Sequence, residues 1–348
     1  MNNDDLTYEF CPCCDANITL QKGYSNDLPY WVCKGCGEML INPELETDTD
    51  IIWRCDGCGA LLNVQPGFDE SGDEWTCTEC GYKNGLSESD VFLSVDEYES
   101  DQSNPYKGLT DEEVLRLSAY ADVEPLGGKN NVILVRDIES GKLFVKKLLT
   151  IYDKSIYDFL KNNPIAHMPR IIDLYESSNC LIVIEEYIDG IIVEDMLGKG
   201  PLPEDEAVRI TKSLCVILNE LHSLPTPIVH RDIKPSNIII TPDNEVYLLD
   251  VNVAKWYDPD KTDDTRYLGT QHYAAPEQAG YGLSASSAKT DIYATGIVLN
   301  KMLTNSFPKE KHPSGHIWEI VKHCLSMEAG ERYSALDLIA ELEKMEKQ

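Results

Sequence analysis

Before residue 86 the apolar residues of this chain come in very short runs, and beyond residue 119 the runs lengthen. The early stretches "NITLQKG", "YWVC", "ALLNVQPG" and "EWTC" each suit one strand of a small hairpin. Residues 86–108, "LSESDVFLSVDEYESDQSNPYKG", are acidic, Ser-rich and weakly periodic, which predicts a linker. "TDEE" at 110–113 has the form of a capping box, with Thr110 as N-cap and Glu113 reaching back, and opens a short helix to about Ser118. Strand patterns follow at about 122–126, 131–137 and 142–149, then a helical pattern at 152–162 and a strand beginning at 181. Val246–Leu249 is an apolar run of strand length ended by Asp250. "HIWEIVKHCLSM" and "SALDLIAELEKM" space their apolar residues three and four apart, as helices do. The elements together predict an α+β chain with two small β modules at its start.

With 348 residues the chain is long enough for two or more domains. Its 30 Lys+Arg stand against 60 Asp+Glu, a net charge of −30. Residues 1–107 alone hold 22 acids and 5 bases, so the excess is spread over both parts of the chain. Such a surface is repelled by polyphosphate backbones, which argues against nucleic acid as a ligand. The opening "MNNDDLTYEF" is acidic and polar, unlike a secretory signal, and "CLIVIEEYIDGIIV" is broken by charge well short of the roughly 18 apolar residues that a membrane span needs. A cytoplasmic protein with no membrane span is therefore expected, and its cysteines read as thiols or metal ligands rather than disulfides.

Nine of the twelve cysteines lie before residue 81. Eight obey one period: Cys11, Cys14, Cys33 and Cys36 become Cys55, Cys58, Cys77 and Cys80 on adding 44. Each set is C-x2-C, eighteen residues, C-x2-C, the spacing of a four-thiolate zinc site. Two zinc ribbons holding two Zn2+ are expected, at 8–45 and 51–86. Gly37, Gly59 and Gly81 follow the second cysteine of three of the four turns, where positive φ is favoured; Asp15 takes that place in the first. Cys13 breaks the period and is read as a spare thiol. Modules this small owe much of their stability to metal, and their acidity suggests a protein-docking or regulatory role. Cys180, Cys215 and Cys324 sit in apolar contexts and read as core thiols.

"IVHRDIKPSNIII" (228–240) places Asp232 and Asn237 in a loop between two apolar segments, eighteen and thirteen residues before Asp250 at another strand end. Such loops would gather two carboxylates, an amide and Lys234 at the base of one cleft, a set suited to a divalent cation and a transferring phosphoryl group. "HRDIKPSN" resembles the catalytic loop of the eukaryotic-type Ser/Thr protein kinases. "DVN" (250–252) stands where that family has Asp-Phe-Gly, "GTQHYAAPEQ" (269–278) resembles its Ala-Pro-Glu segment, and "DIYATG" (291–296) resembles the helix after it. Arg332 stands where the family pairs an arginine with the Ala-Pro-Glu glutamate, here Glu277. The resemblance covers roughly 119–345.

The resemblance implies a bilobal protein-kinase-like fold at 110–348, after a linker at 87–109, and an ATP- and Mg2+- (or Mn2+-) dependent Ser/Thr kinase acting on a protein substrate. It implies that Asp232 accepts or orients the substrate proton, that Lys234 neutralises the moving phosphate, and that Asn237 and Asp250 hold magnesium. Aligned on the apolar alternation, Lys146 takes the place of the phosphate-gripping lysine, with Lys147 as the alternate because successive strand residues face opposite ways. Glu186 and Ile188 would meet adenine through their backbone, and Gly127 and Gly128 would cover the phosphates in a shortened Gly-rich loop ending in Asn130 and Asn131. Asn252, in place of Gly, would keep access to left-handed backbone. Arg231 suggests control by a phosphorylated segment with Thr262, Thr265 and Tyr267 as candidate acceptors, while Thr270 is expected to pack on Asp232 and Lys234. Where the family has the lysine's helix glutamate, the alignment puts Ser155 or Ile156, and the nearest acids, Asp153 and Asp158, have shorter reach. That departure and the worn Gly loop keep open a pseudokinase, a nucleotide- or protein-binding switch. A small-molecule phosphotransferase would leave the Ala-Pro-Glu segment unexplained.

Overall fold

A computed structural model of the chain describes residues 10–11, 14, 16–25, 30–36, 39–41, 53–63, 65–69, 72, 74–86, 104–128, 131–258, 260, 270, 272–279 and 286–346. They form two compact units, Met1–Asn104 and Pro105–Gln348. Cys13, Asp15, Gly37, Asn130, Thr262, Thr265, Tyr267 and most of the expected linker lie outside the described residues.

The first unit repeats one plan with the 44-residue period of its cysteines. A bridge pairs Phe10 with Asn17, and another pairs Arg54 with Leu61. The hairpin of β1 (Tyr30–Val32) and β2 (Met39–Ile41) has its counterpart in β3 (Glu74–Thr76) and β4 (Lys83–Gly85), with the register preserved pair for pair. The cores correspond too. Cys11, Ile18, Cys33 and Leu40 are buried against Tyr24 and Trp31, while Cys55, Leu62 and Cys77 are buried against Phe68 and Trp75. Cores of this size cannot offset the entropy of ordering the chain by apolar burial alone.

In the second unit Thr110 caps α1 (Asp111–Leu117) through the expected box: its Oγ1 accepts the Glu113 N–H, and Glu113 accepts the Thr110 N–H at 2.8 Å. The strands β5 (Tyr120–Pro125), β6 (Val132–Asp137), β7 (Leu143–Leu149), β8 (Ile171–Glu176) and β9 (Leu181–Glu186) form one antiparallel sheet in the order β5-β6-β7-β9-β8. Both faces of this sheet are covered. On one, Leu117, Tyr106 and Leu109 pack against Phe144, Leu148, Ile182 and Ile184. On the other, Leu149, Leu181 and Val183 meet Ile156, Tyr157 and Leu160 of α2 (Lys154–Asn162) and join the main core. Residues 105–109, read above as linker, thus pack on the sheet.

Helices make up most of the remainder. After the short α3 (Val193–Leu197), the apolar side of α4 (Glu204–His222) is buried from Ala207 to Leu221. It packs with α5 (Ala288–Thr304), α6 (His316–Cys324) and α7 (Ala335–Glu346). Small ribbons of β10 (Ile191–Ile192), β12 (Ile238–Ile240) and β13 (Val246–Leu248), and of β11 (Ile228–Val229) with β14 (Lys255–Trp256), lie where the helices meet the cleft residues. Cys180, Cys215 and Cys324 are buried thiols, as expected.

Arg332 and Glu277 form a fully buried fork. Arg332 donates to the two Glu277 oxygens at 2.7 and 2.9 Å, and Thr290 donates to the same carboxylate at 2.8 Å. Burial works against the Glu277 carboxylate, but Arg332 outweighs it and holds its pKa below the usual glutamate range. Arg332→Ala leaves that charge buried without its partner, and should lower the stability of the second unit by about 3–5 kcal/mol, read by chemical denaturation. Because the folded pKa is depressed, the stabilisation is full above the unfolded value of about 4.3 and is lost as pH falls below it. An acid titration followed by circular dichroism should show this loss in the wild type and a smaller one in the variant.

Candidate functional site

The cleft residues are carried by two loops fixed from below. Asp291, wholly buried in the first turn of α5, accepts the N–H groups of His230 at 2.9 Å and Arg231 at 2.8 Å and meets His222 Nε2 at 2.8 Å. Burial alone would raise its pKa; His222, His230 and the Arg231 N–H outweigh that and keep it below the usual range. Gln278 donates to the Arg231 carbonyl at 2.9 Å, and the His230 ring donates to the Leu249 carbonyl at 3.1 Å. Arg231 (φ 69°) and Asp250 (φ 67°) both hold left-handed backbone, unusual for such residues.

On this frame Asp232, Lys234, Asn237 and Thr270 converge. Lys234 Nζ donates to Asp232 Oδ2 at 2.6 Å and to Thr270 Oγ1 at 3.0 Å, and Thr270 Oγ1 lies 2.8 Å from Asp232 Oδ1. Thr270 therefore packs where it was expected. Asn237 spends its amide N–H groups on the Asp232 carbonyl at 2.9 Å and on Oδ2 at 3.1 Å, which leaves its amide oxygen as a hard ligand. Burial works against the Asp232 carboxylate, but Lys234 and Thr270 hold its pKa below the usual aspartate range. The Leu249 N–H donates to the Asn237 carbonyl at 2.8 Å, which ties the segment carrying Asp250 to this loop.

Lys146 does not face Asp250. It lies on the outer face of β7, where it reaches Asp122 at 2.5 Å and the Tyr106 hydroxyl at 3.2 Å. Its neighbour Lys147 points the other way, with Nζ 2.8 Å from Glu185 and 3.7 Å from Asp250. Burial works against the Lys147 ammonium, but the two carboxylates outweigh it and raise its pKa. The alternation was ambiguous because residues 105–117 bury the outer face as well, so both faces of β7 read as apolar. Glu185, overlooked in the sequence because it sits inside an apolar strand, could have been found from its register. It shares the cleft face with Val183 and Leu181, as Lys147 does with Val145 and Leu149.

Asn252 also differs from expectation: Asp250, not Asn252, takes the left-handed backbone. The Asn252 side chain instead accepts from the Tyr157 hydroxyl of α2 at 2.7 Å. Val251 borders a cavity of about 20 Å³ lined by Leu160, Met168, Ile171, Glu185 and Asp250, which fits the smaller volume of Val. Gly127 and Gly128 both have positive φ (61° and 69°) in the β5–β6 turn, where a Cβ would meet open space; Asn131 does not. Glu186 ends β9 and Ile188 follows it in the connection to β10.

In the first unit the sulfurs of Cys11, Cys14, Cys33 and Cys36, and those of Cys55, Cys58, Cys77 and Cys80, form two clusters with all sulfurs within 4.8 Å of one another. Individual separations are 3.5 Å (Cys11–Cys36, Cys55–Cys80) and 3.7 Å (Cys14–Cys33, Cys58–Cys77). Four sulfurs each about 2.3 Å from one zinc lie roughly 3.8 Å apart, so the clusters fit the ion. The thiols of Cys33 and Cys77 are lowered to about 6, while burial pushes Cys58 up to about 12. Both low values trace to one device. Gln21 donates Nε2 to Cys33 Sγ at 3.4 Å and accepts from Trp31 Nε1 and the Lys34 N–H; Gln65 does the same with Cys77 at 3.2 Å, Trp75 and Thr78. At Cys77 burial opposes the shift and is outweighed. Gly59 and Gly81 hold positive φ as expected.

Comparison with known proteins agrees with both halves of this description. The protein kinase domain family matches residues 127–343, and the Sec23/Sec24 zinc finger matches residues 52–89. Among curated proteins, the chain is 31% identical over 205 residues to serine/threonine-protein kinase PknB of Mycobacterium leprae, covering 54% of this chain and 32% of that protein. It is 31% identical over 195 residues to serine/threonine-protein kinase PrkC of Bacillus subtilis, covering 52% and 29%. It is 27% identical over 222 residues to a probable serine/threonine-protein kinase KIN1 homolog of Enterocytozoon bieneusi, covering 60% and 36%. The matches thus span about a third of these relatives' own length. The chain belongs to the protein kinase family, and its fold is the α+β kinase architecture preceded by two four-cysteine modules that fit zinc ribbons. Among the described residues no helix is long and apolar enough to cross a membrane.

The Gln21 and Gln65 contacts predict that Gln65→Ala weakens metal binding at the second cluster by about tenfold or more, since outer hydrogen bonds to ligands carry effects of that order. Competition with a chromophoric chelator measures it, and Gln21→Ala should act in the same way on the first.

Proposed function

We propose that this chain is an active Ser/Thr protein kinase that transfers the terminal phosphoryl group of ATP, with Mg2+ or Mn2+, to a hydroxyl of a protein substrate. The observation that carries this is Asp232, fixed between Lys234, Thr270 and Asn237 and kept ionised at neutral pH. In that state it accepts or orients the substrate hydroxyl proton as the new O–P bond forms and the bond to ADP breaks. Lys234 neutralises charge on the phosphoryl group in flight. Asn237 and Asp250 would hold magnesium, which supplies charge neutralisation at the phosphates. Lys147 takes the phosphate-gripping role first assigned to Lys146. Gly127 and Gly128 bring backbone close to the phosphates, and Glu186 and Ile188 offer backbone groups to adenine. The preference for Ser/Thr rests on the Lys two residues past Asp232 and on the named relatives.

The two ribbons bind one zinc each and act in docking or regulation. Only about forty residues separate Asp291 from Arg332, and "FPKEKHPSGH" stands where a docking helix is usual, so substrate capture falls to another part of the chain. The acidity of residues 1–107 favours a protein partner over nucleic acid.

Incubation with labelled ATP and Mg2+ or Mn2+ should label Ser or Thr on the protein itself or on a generic substrate, and Asp232→Asn should abolish it. Lys147→Ala should lower the rate by orders of magnitude, while Lys146→Ala should retain most of it. A nucleotide-induced thermal shift with no label under either metal would instead establish a pseudokinase switch. Elemental analysis should find two zinc per chain, and one or none would overturn the paired-ribbon reading.

A further inference from the structure

We infer that Glu185 is the positioning partner of the phosphate-gripping lysine, so that this kinase holds that lysine from within its sheet and not from a mobile helix. The inference rests on the role proposed above for Lys147. In protein kinases the strand lysine is held by a glutamate of the neighbouring helix, and the position of that helix controls activity. Here α2 turns Ile156, Tyr157 and Leu160 inward and offers no acid there.

The replacement comes from strand pairing. In the β7–β9 ladder Lys147 stands opposite Val183, and Val145 stands opposite Glu185. Lys147 and Glu185 are therefore diagonal neighbours on one face of adjacent hydrogen-bonded strands, within reach of long side chains. Nζ and Oε1 meet at 2.8 Å, and both side chains are nearly buried, at 7% and 10% exposure. No hinge lies between the two residues. The α2 helix is tied elsewhere: its Tyr157 hydroxyl donates to Asn252, and its Ser155 Oγ accepts from Trp256 Nε1 at 2.8 Å. Helix position thus bears on the segment after Asp250, while the lysine stays poised.

Glu185 also keeps Lys147 off the metal site. Among the described residues, Asp250 is the other carboxylate in reach of Lys147, at 3.7 Å. Without the Glu185 charge, the ammonium moves towards Asp250 and competes there with a divalent cation. Loss of Glu185 should then affect nucleotide binding and the Mg2+ requirement together, which loss of packing alone would not.

The test uses the full zinc-loaded chain and compares wild type, Glu185→Gln, Glu185→Asp, Lys147→Met and the double variant Glu185→Gln/Lys147→Met. MgATP dissociation constants, kcat and the Mg2+ concentration for half-maximal rate are measured, with thermal melts reporting folding. Glu185→Gln should weaken MgATP binding or lower kcat by about tenfold or more and raise the Mg2+ requirement, and Glu185→Asp should recover part of the loss. In the Lys147→Met background the same change should alter MgATP binding by less than about twofold, because one residue acts through the other. Equal effects in both backgrounds, or wild-type behaviour of Glu185→Gln, would overturn the inference. If Glu185→Gln does not fold, Glu185→Met, similar in length and needing no partner, carries the same comparison. A Lys147→Met variant as active as wild type would read differently: it removes the role of Lys147 itself, and the inference with it.

Discussion

The buried carboxylate of Asp291 is the constraint on which the cleft depends. A charge with no exposure to water persists only where donors surround it. Here those donors are two successive backbone N–H groups of the loop carrying Asp232 and the ring of His222. The satisfaction of one ion therefore dictates the path of the loop, including the left-handed turn at Arg231. From that path follow the placement of Asp232, the reach of Lys234 and the hydrogen bond from Leu249 that brings in Asp250. The helix that supplies Asp291 is anchored in turn at its N-terminal end, where Thr290 donates to Glu277, the carboxylate held by Arg332.

The two units solve the stability problem by different means. In the second, a core drawn from the helices and the sheet surrounds a few buried ions, held by a partner of opposite charge at Glu277 and Lys147 and by hydrogen-bond donors at Asp291. In the first, a handful of apolar residues surround four sulfurs, and the glutamine that bridges a tryptophan to a cysteine recurs with the same partners in both copies. Repetition of an outer contact at the same offset as the ligands shows that the duplicated unit is larger than its cysteines.

Much of this was legible in the sequence because it depends on spacing. The cysteine period fixed which sulfurs meet, and Thr110 with Glu113 fixed the start of α1. The ordered motifs around Asp232, Asp250, Glu277 and Arg332 announced the kinase core. The failures share a cause: they concern which way a residue points where local pattern gives two answers. Lys146 and Lys147 are adjacent in a strand buried on both faces, so alternation could not rank them. Glu185, inside an apolar strand, gave no local signal because its partner Lys147 is 38 positions away in sequence and set by register. The left-handed backbone went to Asp250 and not Asn252, since tertiary contacts with Tyr157 outweigh the local preference of an asparagine.

The covering of the outer sheet face has a practical meaning for where this kinase domain begins. The family match starts at residue 127, yet Tyr106, Leu109 and Leu117 shield Phe144, Leu148, Ile182 and Ile184, and Tyr106 lies against Lys146. A fragment trimmed to the shared kinase boundary would bare a greasy sheet flank and leave the Lys146 ammonium without its phenolic neighbour, inviting self-association. A well-behaved fragment of the second unit must reach back to about Pro105, so the stretch leading away from the ribbons belongs structurally to the kinase domain that it introduces.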